Sequence, residues 1–160
     1  MLNIYTVAFW GHSYIYNFNL IEELLKKHIK TLIDSKEYVD FFVGRNGDFD
    51  RFVTSAILSI QKNHSDDNSS IVLMLPYTTA EYLNNQAAFE NYYSNIEISS
   101  YASNIHPKAA IKARNKEMVD RADLIICYIE NKNSGAYKTI QYAKKQNKNI
   151  INLAEEIINI

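Results

Sequence analysis

The chain has 160 residues, of which 47% are hydrophobic, and this length and composition predict one compact domain spanning residues 1–160. Its 17 basic and 18 acidic residues leave a net charge of −1 with no long block of either sign, which argues against a nucleic-acid partner. No apolar run approaches the ~20 residues of a membrane-spanning helix, no signal peptide is evident, and the single cysteine, Cys127, cannot form an internal disulfide, so we expect a cytoplasmic protein without a membrane partner.

Apolar, β-rich runs alternate with segments of helical periodicity along most of the chain. In chain order, the sequence predicts a strand at 4–10, a helix at 20–33, a strand at 38–44, a helix at 49–60, a strand at 70–77, helices at 80–93 and 109–122, a strand at 123–129, a helix at 136–147 and a strand at 149–153. Four of the five strands are almost continuously apolar, as parallel strands covered on both faces are. This alternation predicts an open, doubly wound, mainly parallel sheet of about five strands with helices on both faces.

Segment 94–108 fits this alternation least, and we expect only a short strand at 96–98 within otherwise irregular chain. The glycines are more informative. All four, Gly11, Gly44, Gly47 and Gly135, follow a predicted strand, and Pro76 closes another strand. In such a sheet the ligand crevice lies at the carboxyl ends of the strands, where glycine lets the backbone approach a ligand. The alternative is that tight turns between strands and helices need glycine for conformational reasons alone.

Polar motifs occupy these same loops in a distinctive order. They are FWGHS (9–13), VGRNGDFD (43–50), LPYT (75–78), RNKEMVD (114–120) and ENKNSGAYKT (130–139). The set resembles the Rossmann-like SLOG superfamily, which unites the LOG-type phosphoribohydrolases with the DprA/Smf-like DNA-processing proteins. It is more similar still to the small bacterial YpsA-like branch, the DUF1273 group, and the resemblance spans roughly residues 4–153. It implies a Rossmann-like fold with a pocket for a nucleotide or nucleotide-derived ligand at the carboxyl edge of the sheet.

The resemblance also assigns the ligand-binding residues. They are Gly11, His12, Ser13, Gly44, Arg45, Asn46, Gly47, Asp50, Pro76, Tyr77, Arg114, Asn115, Asp120, Ser134, Gly135, Lys138 and Thr139. The sequence departs from the pattern of the group at Ser13, where arginine is usual, at Arg45, and at Ser134, where a glycine pair is usual. The departure at Ser13 removes a cation, which weakens the expectation of a phosphate at the first loop.

Physical chemistry supports an anion site in the last of these loops independently of the resemblance. The segment SGAYKT opens a helix, so its backbone N–H groups, the positive end of the helix dipole and the Lys138 ammonium group all favour an anion. The alternative is a helix start capped by Asn133 or Ser134, with Lys138 in solvent. Arg114 would reach a phosphate or carboxylate across the crevice, or it is a surface arginine on an amphipathic helix.

Three further side chains have both a ligand-binding and a structural interpretation. His12 would stack on or hydrogen-bond a base, or it is a loop histidine with protein partners. Asp50 would accept hydrogen bonds from ribose hydroxyls, or Asp48 or Asp50 caps the helix that begins there. Tyr77, like Tyr137, is placed to cover a base, although tyrosines mostly serve packing.

Catalysis receives less support than binding. In the LOG-type hydrolases the corresponding loop reads PGGxGTxxE, and its glutamate helps to cleave an N-glycosidic bond. Here that position is Tyr142, or Gln141 one residue earlier, and neither is a carboxylate. Asp50 and Glu81 are other acids near the expected crevice. The catalytic residues therefore remain unknown, and the sequence has no catalytic triad, phosphate-binding P-loop or metal motif.

Two functions of different classes follow. The first is a cytoplasmic binding domain that senses or sequesters a nucleotide-derived ligand and needs no cofactor. The alternative is an enzyme acting on the N-glycosidic bond of nucleotides, such as a phosphoribohydrolase or a relative of the deoxyribosyltransferases, while a scaffold with a decayed pocket is a third reading. The sequence is also compatible with a homodimer, in which helix 80–93 would form the contact through Tyr82, Phe89, Tyr92 and Tyr93.

Overall fold

Residues 1–158 are described by a computed structural model, in which helices cover both faces of a six-stranded sheet. The elements are β1 (Ile4–Gly11), α1 (Phe18–Ser35), β2 (Tyr38–Val43), α2 (Asp48–Lys62), β3 (Ser69–Leu75), α3 (Ala80–Asn84), α4 (Gln86–Tyr92), β4 (Asn95–Ile98), α5 (Pro107–Arg121), β5 (Leu124–Tyr128), α6 (Gly135–Lys145), β6 (Asn149–Asn152) and α7 (Leu153–Ile158). Among these residues no helix combines the length and the apolar character needed to cross a membrane.

The sheet is parallel throughout, with the strand order β4-β3-β2-β1-β5-β6. This architecture confirms the predicted α/β, Rossmann-like, doubly wound fold. It has six strands where about five were expected, because β4 in the poorly placed segment 94–108 is a true edge strand that pairs with β3. With only four residues, two of them exposed, β4 lacks the continuous apolar run that marks the buried strands.

The core lies in two layers because successive strand residues point to opposite faces of the sheet. In β1, Val7 and Phe9 join the cluster covered by α1, α2 and α7, whereas Ala8 and Trp10 join the cluster covered by α5 and α6. The near-continuous apolar runs of the central strands follow from this two-sided burial.

The predicted helix at 80–93 is two short helices separated at Asn85. The Asn85 side chain donates to the carbonyl of Glu81 over 2.8 Å, which competes with continued helical bonding. Phe89 and Tyr93 are buried in the core, while Tyr92 is exposed. Most of the aromatic surface that was expected to serve a dimer contact is therefore used inside the molecule. The dimer itself stays a prediction.

Segment 94–108 is anchored to α5 by the buried carboxylate of Glu117. Glu117 Oε1 accepts hydrogen bonds from the Ser99 hydroxyl at 2.8 Å, the Ser100 hydroxyl at 3.2 Å and the Tyr101 N–H at 3.1 Å. Its irregular part ends at His106, whose side chain caps α5 by accepting the N–H of Lys108 over 3.2 Å. An irregular segment thus has fixed contacts that hydrophobic periodicity does not reveal.

Candidate functional site

The strand order reverses at the boundary between β1 and β5. The chain builds β1 to β4 toward one edge of the sheet, and α5 then returns it to β5 on the other side of β1. The helices that follow β1 and β5 lie on opposite faces, so their connecting loops diverge and leave a crevice at the carboxyl ends of these strands.

A cavity of about 200 Å³ occupies this crevice. Its walls are formed by the end of β1, the loops after β1, β2 and β5, and the inner side of α5. The lining residues are Phe9, Trp10, Gly11, His12, Ser13, Gly44, Asn46, Asp50, Ile111, Arg114, Asn115, Met118, Ser134, Gly135 and Ala136.

Two glycines let the first loop pack closely against α2. A Cβ atom on Gly11 would lie 2.3 Å from Phe49 Cγ, and one on Gly47 would lie 2.6 Å from Ser13 Cα. The Asp48 N–H donates to the Ser13 carbonyl over 2.9 Å, and the Asp48 carboxylate accepts the N–H of Ile15 over 3.2 Å. The first loop is therefore fixed on α2, and Asp48 binds this loop instead of capping α2.

His12 is held as a neutral side chain at the edge of the cavity. Its Nε2 atom accepts the backbone N–H of Glu130 over 2.8 Å, so the proton of the neutral ring lies on Nδ1. Burial lowers the pKa of His12, although the negative charge of Glu130 opposes this effect. His12 can thus offer an N–H donor to a ligand, and its ring rests edge-on against Tyr128 with 5.9 Å between the ring centroids.

Arg114 lies inside the protein, where it is only 3% exposed, so its interpretation as a surface arginine is wrong. Nη1 donates to the carbonyl of Met74 over 3.0 Å, and Nε donates to Asn115 Oδ1 over 2.9 Å. No salt bridge to Arg114 is formed by any residue of the described chain, 1–158, and Nη2 has no hydrogen-bond partner there. A fixed guanidinium group without a salt-bridge partner therefore lines the cavity, and Asp50 is the opposite charge that acts on it there.

Asp50 lines the same cavity from the start of α2. Its Oδ2 atom accepts the backbone N–H of Asn46 over 2.7 Å, which closes the loop after β2. Burial raises the pKa of the Asp50 carboxyl group, although the Asn46 N–H and the positive charge of Arg114 oppose this effect. Asp50 is thus a carboxyl group with an elevated pKa in a crevice, a feature that is common at functional sites.

Asn115 joins the crevice to the helix that follows β5. Its Oδ1 atom accepts hydrogen bonds from Trp10 Nε1 at 3.2 Å and from Arg114 Nε at 2.9 Å, and its Nδ2 atom donates to Thr139 Oγ1 over 3.3 Å. These bonds connect β1, α5 and α6, so Asn115 positions Arg114 as well as lining the cavity.

The amino end of α6 opens into the cavity. Ser134 caps this helix by accepting the N–H of Tyr137 over 3.1 Å. The preceding N–H groups, those of Gly135 and Ala136, have no intrahelical partner because they belong to the first turn. Both residues line the cavity, so the partial positive charge of the helix terminus is added to that of Arg114.

The cavity brings together ten of the residues assigned by resemblance and places the others elsewhere or beside it. Arg45 lies in a neighbouring cavity, which shares Gly44 and Asp50 with the crevice. There it donates to Glu81 over 2.5 Å and to the Tyr93 hydroxyl over 2.9 Å. Asp120 accepts the hydroxyls of Tyr101 at 2.9 Å and Tyr142 at 2.7 Å, which is a structural role. Of the remaining residues, Gly47 lines the cavity of Arg45. Pro76 and Tyr77 follow the last residue of β3 and do not line the crevice. Lys138 and Thr139 line an adjoining groove between α5 and α6.

Sequence reasoning missed the apolar wall of the cavity. Phe9, Trp10, Ile111 and Met118 line it, but each also belongs to an apolar strand or helix pattern that predicts only core packing. For Trp10 the available signal was its position directly before Gly11 at a strand end. Within residues 1–158, no group of three or more histidine, cysteine or acidic side chains is placed to hold a metal ion.

The fold is similar to that in the X-ray structure of DNA processing protein A (DprA) from Streptococcus pneumoniae, with a TM-score of 0.65 and 16% sequence identity. The similarity covers 92% of this chain and 49% of that chain, so this chain spans about half the length of the protein it matches. At this identity the similarity establishes the fold alone, and the fold is the one expected for a chain that resembles DprA-related proteins. No family profile matches the sequence. No curated protein matches it either.

Proposed function

We propose that the protein is a cytoplasmic domain of the SLOG superfamily, of the YpsA-like branch, that binds a nucleotide or nucleotide-derived ligand at the switch between β1 and β5. It would sense or sequester this ligand and need no cofactor. The observation that carries the proposal is Arg114, whose buried guanidinium group lines the crevice without a salt-bridge partner in residues 1–158. Burial disfavours the charged form of Arg114 although the charge of Asp50 opposes this effect, and an anionic ligand would offset the remaining cost of burying the cation.

The other groups around the cavity suit the remaining parts of a nucleotide. The amino end of α6 would bind a phosphate together with Arg114. The Nδ1–H group of His12 would donate to a base or a sugar hydroxyl, and Asp50 would accept from ribose hydroxyls. Trp10 adds an aromatic wall, although its indole N–H is already used by Asn115. This combination of a cation, donors and an apolar wall is typical of small-molecule sites.

A thermal-shift screen would test the proposal with nucleoside monophosphates, cyclic dinucleotides and ADP-ribose, because a ligand of the native state raises the unfolding temperature as its concentration increases relative to its Kd. At least one of these ligands should stabilise the protein, and Arg114→Lys should weaken its binding about tenfold or more, since lysine cannot reproduce the planar fork of arginine. Lys27→Arg is the control, because it exchanges the same two residue types at an exposed position of α1 outside the crevice cavity. Equal losses in both variants would contradict binding in the crevice.

The enzymatic alternative is favoured by one observation, the raised pKa of Asp50 in the crevice. Asp50 would then supply the carboxyl group that is absent at Gln141 and Tyr142, as an acid or base in cleavage of an N-glycosidic bond. Chromatography of each stabilising ligand after incubation distinguishes the two functions. Conversion to free base and sugar phosphate, lost in Asp50→Asn, would establish the enzyme, whereas intact ligand would leave the binding function.

A further inference from the structure

A groove of about 340 Å³ runs between α5 and α6 beside the crevice. Three of its lining residues, Ile111, Asn115 and Gly135, also line the crevice cavity, so the two spaces adjoin one another. The complete lining of the groove is Lys108, Ile111, Lys112, Asn115, Lys116, Gly135, Lys138, Thr139 and Tyr142.

Four lysines surround this groove. Lys108, Lys112 and Lys116 are four residues apart along α5 and therefore lie on one side of that helix, while Lys138 faces them from α6. None of the four forms a salt bridge with any described residue in 1–158. The protein as a whole has a net charge of −1, so this concentration of unpaired positive charge is a local feature.

The walls of the groove are apolar and aromatic between the lysines. Ile111 is 43% exposed here, and the Lys116 ammonium group lies 5.5 Å from the centre of the Tyr142 ring. The Tyr142 hydroxyl donates to Asp120, which fixes the orientation of the ring. Lysines around a fixed concave surface hold an anion better than the same lysines on a convex surface, because a ligand between them meets several charges at once.

We propose that this lysine groove is a second anion site and that it takes the phosphate chain of a ligand whose other end lies in the crevice. The first half of the proposal stands on the groove alone, and the second half rests on the proposed nucleotide function. The ligand class is thereby narrowed to nucleotides with at least two phosphate groups, such as nucleoside polyphosphates or dinucleotides. A small ligand fits better than a nucleic acid, because the groove is a bounded concavity of about 340 Å³ that opens into the crevice cavity.

Isothermal titration with inorganic tripolyphosphate at low ionic strength tests the groove separately from the crevice. The double variant Lys112→Gln/Lys116→Gln should bind tripolyphosphate about tenfold more weakly than the wild type. The matched control, Lys27→Gln/Lys62→Gln, removes the same number of charges from exposed positions on α1 and α2 and should bind like the wild type. Equal weakening in both double variants would reduce the effect to net charge and overturn the proposal.

Nucleotides then test the link between the groove and the crevice. The affinity for adenosine monophosphate should fall in Arg114→Lys and stay unchanged in the groove variant, whereas the affinity for adenosine triphosphate or ADP-ribose should fall in both. Tripolyphosphate binding without any nucleotide binding would support the groove and contradict the crevice function. Tight, groove-dependent binding of a single-stranded oligonucleotide, without any for the small nucleotides, would overturn the assignment to a small ligand.

Discussion

Asp50 and Arg114 carry opposite charges in the lining of the same cavity, and burial acts on both. Burial lowers the pKa of Arg114 and raises the pKa of Asp50, while the charge of each partner opposes the shift of the other. They do not form a salt bridge within the described chain, 1–158, so the attraction is partial. In their charged forms both groups therefore lower the stability of the fold, which is typical of sites that await a ligand.

Asp50→Asn should therefore stabilise the unliganded protein at pH 7. The pKa of Asp50 in the folded protein lies above its unfolded value of about 3.9. Below that unfolded value the carboxyl group is protonated in both states and its ionisation costs nothing. As the pH rises through the folded pKa, ionisation of Asp50 lowers the free energy of unfolding. The gain from the substitution should accordingly be present at pH 7 and vanish toward pH 4. Urea unfolding of both proteins at the two pH values measures it. A loss of stability at pH 7 would mean that the attraction to Arg114 outweighs burial.

Gly47→Ala and Gly135→Ala form a matched pair for the two kinds of loop glycine. The new methyl group at position 47 meets the Ser13 backbone at 2.6 Å, whereas at position 135 no atom lies within 4 Å. Gly47→Ala should destabilise the protein by about 1–3 kcal/mol. Gly135→Ala should preserve stability or raise it by up to about 1 kcal/mol, since alanine favours the helix.

The added methyl group of Gly135→Ala would, however, enter the space shared by the crevice and the lysine groove. Ligand affinity should fall in this variant although its unfolding temperature does not. Thermal unfolding with and without a ligand separates the two effects. Unchanged affinity would place the ligand away from the start of α6.

At the scale of elements, the strands were predictable because burial on both faces of the sheet requires continuous apolar runs. Most helices were predictable from their helical periodicity of apolar residues. The exceptions have local causes. The helix expected at 80–93 breaks at Asn85 through a side-chain hydrogen bond, and β4 is too short and exposed to carry a pattern. The candidate site was also predictable only in part. Glycines and polar loops at the strand ends indicated the crevice, but Arg45 and Asp120 bind partners outside it that are distant in sequence.

Glu117→Gln tests how firmly α5 holds segment 94–108. Burial alone would raise the pKa of Glu117, but the Tyr101 N–H, the Ser99 hydroxyl, Arg121 and the Ser100 hydroxyl together lower it below its usual value. The carboxylate thus contributes stability above its unfolded pKa of about 4.3, and this contribution is lost as the pH falls through the folded pKa. The variant should lose about 1–3 kcal/mol at pH 7, with a smaller loss at pH 4, as measured by urea unfolding.

At the scale of the whole molecule, the reactivity of the Cys127 thiol reports whether the central sheet has opened. It lies in β5 with no exposed surface, and burial raises the pKa of its thiol to about 12, with smaller effects from Glu155 and Lys144. Thiol reagents should therefore react only after the central sheet opens. The free energy of opening, measured from the rate at which a thiol reagent labels Cys127, should equal the free energy of unfolding measured in urea. A markedly smaller value would reveal that β5 and β6 detach while the rest stays folded.

The position of β1 in the sheet also has a consequence for synthesis of the protein. Of the strands, β1 is made first and its neighbour β2 follows soon after. Its other neighbour, β5, is distant in sequence. The hydrogen bond from the Thr6 N–H to the Asp123 carboxylate, next to this strand pair, joins residues that are 117 positions apart. One edge of β1 therefore stays unpaired during synthesis until β5 has left the ribosome. Such non-local pairing slows folding and leaves an unpaired strand edge during the delay. Nascent chains that end before β5 should accordingly depend on chaperones more than the completed protein does.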